Sequence, residues 1–368
     1  MRKISLDYAH EGLFLGRSII DSEGHILLRA GVELDEYYID RLLDLGIHYI
    51  YIQDEIFGET DEIEDIISEE TRITTVKMVK KTFNHLQQDR KINTAALRKI
   101  VNNMLDEILD NSNVLLGITD ISSLNDYIFH HSVSVCTLSI MTGITLGYDD
   151  THLLELGIGA LLHDIGKSKI DPEIIKREGN LNEEEFALLS KHPQLGFDIM
   201  RNSIDLSLLS AHIAYQHHER WDGRGYPRGL SGNNIHEYAR IVAVANIYDE
   251  LMAERPNRPP FEVNQAINLI KRMSDIYFEP RIVKAMISNI ATYPVGSIVQ
   301  LNTGDIGIVT HLNNDAPHRP IIRIVFDADQ RRLQHPHEID LSKMTTVIPS
   351  QIMSERDLNK LLPLKMVE

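Results

Sequence analysis

The sequence predicts a mainly α-helical protein with a small β-rich module at each end. Residues 125–290 contain successive apolar segments with three- and four-residue spacing, which is typical of packed helices. Residues 1–58 and 291–350 instead read as short alternating segments between Gly and Asn turns, as strands do. The hydrophobic content of 43% and the charged content of 25% are those of an ordinary globular protein.

Charge and cysteine usage narrow the range of functions. The chain of 368 residues has a formal net charge of −17, which argues against a nucleic-acid polymer as ligand because phosphate binding needs a broad basic face. Charge or Gly interrupts the apolar runs before they reach bilayer-spanning length, so no transmembrane helix is expected. The first residues lack the apolar core of a signal peptide, and a single cysteine, Cys136, suits a reducing compartment. We therefore expect a cytoplasmic protein.

The first two segments of the chain differ in character. Residues 1–58 read as a hairpin that turns at Gly24, a short amphipathic helix over 36–45 and a closing strand over 47–52. Residues 59–124 are helical and strongly charged, with apolar residues at helical spacing. This second segment is either a connector that carries a signal or dimer contacts, or a set of helices that packs onto the next domain.

Residues 125–290 form the predicted helical core, and most of the paired histidines lie here. An apolar run from Leu153 to Leu162 predicts a buried helix that ends at Gly166. Asn182 and Glu185 form a plausible capping pair, and Pro193 suits the first turn of another helix. Further apolar helices are expected over residues 127–144 and 241–251. A Gly-rich loop over residues 221–230 separates the last two histidines from the final helix.

The C-terminal region changes to a period of two. Residues 297–301, 306–310 and 320–326 are predicted strands, with a turn over 302–305, so residues 291–350 read as a small β-barrel or hairpin module. Residues 351–368 are assigned to a C-terminal tail. The role of the two terminal modules is left open.

The stretch His163-Asp164-Ile165-Gly166-Lys167 is the first candidate for chemistry. A His-Asp pair on the last turn of a buried helix needs a partner, because unpaired polar groups are costly there, and a metal ion is one such partner. A backbone carbonyl can also satisfy a buried histidine, so this stretch alone is weak evidence for a metal site.

The remaining histidines strengthen the metal hypothesis. Neutral imidazoles beside apolar helices are well placed to bind metal. Asp164 has two oxygens and can bridge two ions roughly 3.5–4 Å apart, whose bridging hydroxide would attack phosphorus. The predicted binuclear site consists of residues that each lie on or beside an apolar helix: His131, His163, Asp164, His192, His217, His218 and an acidic or amide residue near 246.

These motifs resemble those of the HD-GYP proteins, the cyclic di-GMP phosphodiesterase branch of the HD superfamily. The resemblance covers about residues 125–290 and rests on five ordered motifs: His163-Asp164-Ile165-Gly166-Lys167, His192-Pro193, His217-His218-Glu219, Gly225-Tyr226-Pro227 and Arg255-Pro256-Asn257-Arg258. It implies an HD-type helical bundle and two or three divalent ions, usually iron or manganese. The implied substrate is cyclic di-GMP, hydrolysed to the linear dinucleotide or further to GMP.

The resemblance also assigns roles to single residues. His131 matches the first metal ligand, and Lys167 falls where the family's lysine approaches the substrate phosphate, beside the catalytic Asp164. Arg255 and Arg258 match cations that hold phosphates, with surface ion pairing as the alternative. Substrate-binding roles are implied for Gly225 and Tyr226, which belong to the loop that closes over the site. Tyr226 would stack on guanine or pack within the loop.

Two positions depart from the family pattern. Members with a third metal carry Glu four residues before the first ligand, where this chain has Tyr127, so two ions are expected. The last ligand is usually Asp, whereas this chain has Asn246, which brings an oxygen but no negative charge. Asp249, three residues on, is the alternative ligand because it shares roughly the same helix face.

Two other functions therefore stand beside the phosphodiesterase. A core that has lost full metal occupancy through Asn246 would work as a cyclic-dinucleotide sensor or scaffold. An HD phosphohydrolase for another nucleotide is the third hypothesis, which the Gly-Tyr-Pro loop disfavours. A homodimer or a signalling partner protein is compatible with each of the three.

Overall fold

The computed structural model describes residues 1–21, 23–53, 56–58, 65–88, 91–111, 115, 127–177, 181–253, 260–313 and 316–361. Within these ranges the chain is mainly helical, with strands at its two ends. The predicted fold class, a helical bundle with small β-rich terminal modules, is confirmed.

The N-terminal module has its own small core. Strand β1 (Arg2–Ser5) pairs antiparallel with β4 (Tyr49–Ile52), and β2 (Ile19–Ile20) pairs with β3 (Ile26–Leu28), as the predicted hairpin requires. Helix α1 (Glu36–Asp44) begins where the side chain of Asp35 accepts a hydrogen bond from the backbone N–H of Tyr38. Its apolar face closes the module over buried residues that include Leu15, Leu34, Leu42 and Ile50.

The helical domain follows. Its helices, in chain order, are α2 (Glu69–Gln87), α3 (Thr94–Asp110), α4 (Tyr127–Thr145), α5 (Asp150–Leu161), α6 (Pro172–Lys176), α7 (Glu183–Leu189), α8 (His192–Arg201), α9 (Leu208–Gln216), α10 (Glu237–Met252), α11 (Val263–Met273) and α12 (Pro280–Ile287). Short 3-10 helices span Ile165–Lys169 and Gly232–Asn234. The capping pair predicted for α7 is present, with Asn182 and Glu185 each bonded to the other's backbone N–H.

Helix α4 lies at the centre of this domain. It packs against α5, α10, α12 and α2, and most of its side chains are buried. Among the described helices it is the one long and apolar enough to cross a membrane, with 67% of its apolar window buried inside the domain. The core helix of a water-soluble domain meets the same criteria, so α4 is weak evidence for a membrane span.

The helices α2 and α3 belong to the same hydrophobic core. Buried residues of both, among them Val79, Phe83, Val101 and Met104, join one continuous cluster with α4, α5 and α10. In the described part of the segment 59–124, the packing alternative therefore accounts for the apolar pattern.

The C-terminal module is an antiparallel sheet of five described strands in the order β8-β7-β6-β5-β9. Strands β5 (Ile298–Leu301), β6 (Ile306–His311) and β7 (Ile321–Phe326) were predicted within a residue or two. Three further elements were not predicted: β8 (Arg332–Asp340), β9 (Pro349–Ile352) and helix α13 (Glu355–Leu361). Strand β8 is an edge strand with mostly exposed polar side chains, so it lacks the apolar alternation that identifies a half-buried strand.

Candidate metal centre

Asp164 stands at the centre of the predicted site. Helix α5 ends at Leu161, so His163 and Asp164 lie in the turn between α5 and the 3-10 helix that begins at Ile165. The expectation that they occupy the last turn of a helix ending at Gly166 was wrong in this detail. Both side chains are buried, with 0% of His163 and 2% of Asp164 exposed.

Gly166 brings a second helix to this turn. A Cβ at this position would overlap the backbone carbonyl oxygen of His192 and the backbone nitrogen of Gly196. Glycine therefore allows the 3-10 helix and the start of α8 to touch, and it does not end a helix, because α5 already ends at Leu161. This contact places His192 Nε2 3.3 Å from Asp164 Oδ1.

Three histidines are held in a single tautomer by backbone carbonyls. A carbonyl oxygen only accepts hydrogen bonds, so the Nδ1 that faces it must carry the proton, and Nε2 of a neutral ring then keeps its lone pair. The contacts are His163 Nδ1 to Ala160 O at 2.7 Å, His192 Nδ1 to Leu189 O at 2.7 Å, and His217 Nδ1 to Ala214 O at 3.0 Å and Ile213 O at 3.1 Å. Pinning of Nδ1 by an acceptor is the usual arrangement behind a metal-binding Nε2.

The three Nε2 atoms converge on the Asp164 carboxylate. Their distances to an oxygen of Asp164 are 3.5 Å for His163, 3.3 Å for His192 and 3.7 Å for His217. Within the described ranges, His163 Nε2 and Asp164 Oδ1 are buried without a hydrogen bond of acceptable geometry. Buried polar atoms are rarely left this way, and a bound cation would satisfy both.

The pKa values of these groups favour neutral rings around an ionised carboxylate. Burial lowers the pKa of His192 to about 3 and lowers the pKa of His163 and His218 well below the usual value. Burial would raise the pKa of Asp164, but the charge of Lys167 and the facing histidines outweigh it and hold that pKa well below its usual range. These are the protonation states that bind a divalent ion.

His131 joins the site from α4 and is flanked by α10. Its Nδ1 lies 2.7 Å from Asp249 Oδ2 and its Nε2 lies 2.9 Å from Asn246 Oδ1. Burial lowers the pKa of His131, but the hydrogen bond and charge of Asp249, with the charges of Asp164 and Glu250, raise it overall. Asp249 thus fixes the Nδ1 side of the His131 ring, and Asn246 faces the Nε2 side, which points into the site.

The donors fall into two groups that share one residue. In each group, one ligand atom per residue lies within 4.8 Å of the others: Asp164, His192, His217 and His218 form one group, and His131, His163 and Asp164 form the other. Two ligands at 90° on an ion with bonds of about 2.1 Å would lie roughly 3 Å apart. The distances of 3.3–3.7 Å from the histidines to Asp164 are close to this value, so the donor set fits divalent metal ions.

His217 and His218 both belong to the first group. Helix α9 ends at Gln216, so the two histidines lie in the turn after it and do not diverge as helix neighbours would. Their ring centroids are 4.1 Å apart. Both rings therefore belong to the same group of donors as His192 and Asp164.

The loop after His218 covers this side of the site. The ring of Tyr226 stacks on His218 with centroids 4.6 Å apart and planes at 17°. A Cβ at Gly225 would overlap the backbone carbonyl oxygen of His218, so the loop approaches the histidine turn closely only with glycine there. Buried Glu219 anchors the loop by accepting hydrogen bonds from the backbone N–H groups of Arg228 at 2.8 Å and Leu230 at 2.9 Å.

The structure describes only some of the other predicted site residues. Lys167 is partly buried, and its Nζ lies 2.5 Å from Asp164 Oδ2. Arg255 and Arg258 lie outside the described residues. Glu250, whose Oε1 accepts a hydrogen bond from Asn246 Nδ2 at 3.1 Å, was missed because no motif includes it. Its i+4 spacing from Asn246 was the available signal.

Comparisons with known families agree with this architecture. The family model of the HD domain matches residues 103–282, and the model of a KOW domain associated with the HD domain matches residues 298–361. The HD match begins within α3 and contains every described site residue.

Two curated proteins are similar to half of the chain or more. The chain is 30% identical over 261 residues, or 71% of its length, to cyclic di-GMP phosphodiesterase PA4108 of Pseudomonas aeruginosa. It is 35% identical over 184 residues, or 50% of its length, to a cyclic di-GMP phosphodiesterase of Thermotoga maritima. The chain covers 63% and 49% of the lengths of these two proteins.

One solved structure resembles a large part of the chain. Bd1817, described as an HDG"Y"P protein from Bdellovibrio bacteriovorus, has a TM-score of 0.47 and 19% identity over 77% of this chain and 97% of its own. Residues 103–282 are thus an HD domain, and the ordered motifs within this region resemble those of the HD-GYP branch.

Proposed function

We propose that the chain is a metal-dependent phosphodiesterase that hydrolyses a 3′–5′ phosphodiester bond of cyclic di-GMP. The observation that carries the proposal is the convergence of three Nδ1-pinned histidines on the buried Asp164 carboxylate. The names of the Pseudomonas and Thermotoga relatives support the substrate. Hydrolysis adds a water oxygen to phosphorus and breaks the bond to the ribose 3′ oxygen, which leaves with a proton as the linear dinucleotide forms.

The proposed cofactor is a pair of divalent ions, iron or manganese. Asp164, His192, His217 and His218 would hold one ion, and His131, His163, Asp164 and Asn246 would hold the other. When bound, such a pair activates water and stabilises the leaving oxygen of a phosphate ester. Asp249 is better suited to orient His131 than to be a ligand, since its carboxylate already accepts from His131 Nδ1.

Four other residues would bind the substrate. The Lys167 ammonium lies next to Asp164 and would donate hydrogen bonds to a phosphate oxygen placed there. One face of Tyr226 is covered by His218, so a guanine would stack on the opposite face. Arg255 and Arg258 would hold the second phosphate.

The sensor or scaffold remains the second candidate function because of Asn246. An amide oxygen binds a divalent ion less firmly than a carboxylate does, and the resemblance expects Asp at this position. A protein that binds cyclic di-GMP but holds at most one ion would fit this candidate.

The test is product analysis with anaerobically purified protein supplied separately with Fe(II) and Mn(II). Cyclic di-GMP, its linear dinucleotide and other cyclic dinucleotides would be incubated with the chain and with Asp164→Asn. We expect the linear dinucleotide or GMP to appear from cyclic di-GMP and to be absent with the variant. Binding without turnover under both metals would favour the sensor, and cleavage of another nucleotide alone would overturn the substrate.

A further inference from the structure

The side chain of Asn246 is held at both of its ends. Its Oδ1 lies 2.9 Å from His131 Nε2, and its Nδ2 donates to Glu250 Oε1 over 3.1 Å. Asn246 is buried, with 2% of its surface exposed, while Glu250 is half-buried. The two residues are separated by four positions on α10 and therefore lie on one face of the helix.

An amide at a metal site has an orientation problem that a carboxylate does not have. Both oxygens of an Asp side chain can bind a cation, whereas an Asn side chain presents either an oxygen or a protonated nitrogen. Only the oxygen end is a ligand. An Asn ligand therefore needs a neighbour that draws its NH2 group away from the ion.

Glu250 is such a neighbour. An ionised carboxylate only accepts hydrogen bonds, so the end of Asn246 that contacts it must be the NH2 group. The carbonyl oxygen then faces Nε2 of His131, a member of the group that contains His163 and Asp164. Asp249 Oδ2 instead faces His131 Nδ1 at 2.7 Å, so the two carboxylates contact different side chains.

We propose that Glu250 is a positioning residue that orients the amide of Asn246 so that its oxygen faces the metal site. The inference rests on the proposed function, namely that the cluster binds two ions. Glu250 also places a negative charge one helical turn from Asn246, whose own side chain has none. Two acidic residues of one helix face thus orient two ligands, Asp249 for His131 and Glu250 for Asn246.

A double-mutant cycle on the full chain tests the proposal through metal affinity, independently of turnover. Mn(II) binding would be measured by titration and elemental analysis for the wild type and for Glu250→Ala, Glu250→Gln, Asn246→Asp and the Asn246→Asp/Glu250→Ala pair. We expect Glu250→Ala to weaken the second Mn(II) by about 10- to 100-fold, the usual range for residues that orient ligands. Gln keeps an acceptor oxygen, so Glu250→Gln should weaken binding of the second Mn(II) less than Glu250→Ala does.

Removing Glu250 in the Asn246→Asp variant distinguishes a loss of amide orientation from misfolding and from a loss of negative charge. The carboxylate that this substitution introduces needs no orientation, so removing Glu250 there should change the second affinity by less than about threefold. This rescue would also show that the loss in Glu250→Ala is not misfolding. Glu36→Ala, which removes the same charge from exposed α1, should bind both ions normally.

Two results would overturn the inference while the proposed function stands. One is a wild-type protein with two ions and a Glu250→Ala variant of the same affinity. The other is an equal loss on removing Glu250 in both backgrounds, which would make Glu250 a source of charge alone. A wild type that holds fewer than two ions would overturn the proposed function and this inference with it.

Discussion

A carbonyl oxygen can only accept a hydrogen bond, and three backbone carbonyls set the tautomers of His163, His192 and His217. Each neutral ring keeps a lone pair on Nε2, and the three lone pairs meet around Asp164. The sequence could predict which residues are present, because the motifs are ordered along the chain. It could not predict the hydrogen bonds from Nδ1 to these carbonyls, because the acceptors are backbone atoms whose positions depend on where α5, α7 and α9 end.

The role of Lys167 can be tested by steady-state kinetics. Its ammonium lies beside Asp164 and is partly exposed, so it is available to a phosphate. Replacing it with Met should lower kcat/KM for cyclic di-GMP by roughly 30- to 160-fold, the equivalent of about 2–3 kcal/mol for a lost charged hydrogen bond. Steady-state kinetics and elemental analysis would be run together, and both ions should remain.

Lys169→Met is the matched control for this prediction. Lys169 lies two residues further along the same 3-10 helix, is exposed, and donates to the backbone carbonyl of Leu86 over 2.6 Å. Its replacement should leave kcat/KM within about twofold. If Lys167→Met instead lost metal with unchanged kinetics per bound ion, Lys167 would support the ligand Asp164 and not the substrate.

At the scale of elements, the contact between the 3-10 helix and α8 brings the HD and HP motifs together. Gly166 permits it, and Gly196 lies across the same contact with a less crowded Cβ position, 3.2 Å from Ala214 Cβ and 3.3 Å from Gly166 N. From the sequence, Gly166 was predicted to end a helix. A glycine between elements does not reveal whether it supplies a positive φ or room for a neighbour.

Gly166→Ala should therefore damage both stability and the site. The added methyl group must displace the His192 backbone, and we expect a loss of about 1–3 kcal/mol in the free energy of unfolding, as for overpacked cores. Urea unfolding would measure the loss, and Mn(II) content should fall as well. Gly196→Ala should cost less on both measures; an equal or larger cost would mean that Gly166 is not the tighter contact.

The C-terminal sheet is the part of the fold that the sequence pattern predicted least completely. Strands β5, β6 and β7 are buried and rich in Ile and Val, and their pattern predicted them. Strand β8 lies at the edge with exposed polar side chains and Pro336 within it, features that protect an edge strand from pairing with another chain. A strand of this kind can be identified only from its hydrogen bonds to β7.

At the scale of the whole molecule, the buried site should make the metal-free protein sensitive to acid. Burial lowers the pKa of His192 in the folded chain to about 3, whereas the unfolded chain titrates near pH 6.5. Between these values the unfolded state binds one more proton, so stability falls as pH falls, by about 1.4 kcal/mol per pH unit for this residue. His163 and His218, with lowered pKa values, act in the same direction, and His131, with a raised pKa, opposes them.

Urea unfolding of metal-free protein at pH 6 and pH 5 measures this effect. His192→Asn should reduce the dependence of stability on pH by about 1.4 kcal/mol per unit. The control, His335→Asn, changes an exposed histidine of β8 and should leave that dependence unaltered. An unchanged slope in His192→Asn would mean that His192 is not kept neutral by the fold.

We propose that Asp164 would contribute to two metal positions, one on the His192 side and one on the His131 side. Anomalous diffraction from crystals of the Mn(II)-loaded protein would test this arrangement. We predict two peaks roughly 3.5–4 Å apart, one bound by His192, His217 and His218 and one by His131 and His163, with Asp164 contacting both. A single peak, or a pair of peaks without Asp164 between them, would contradict the account.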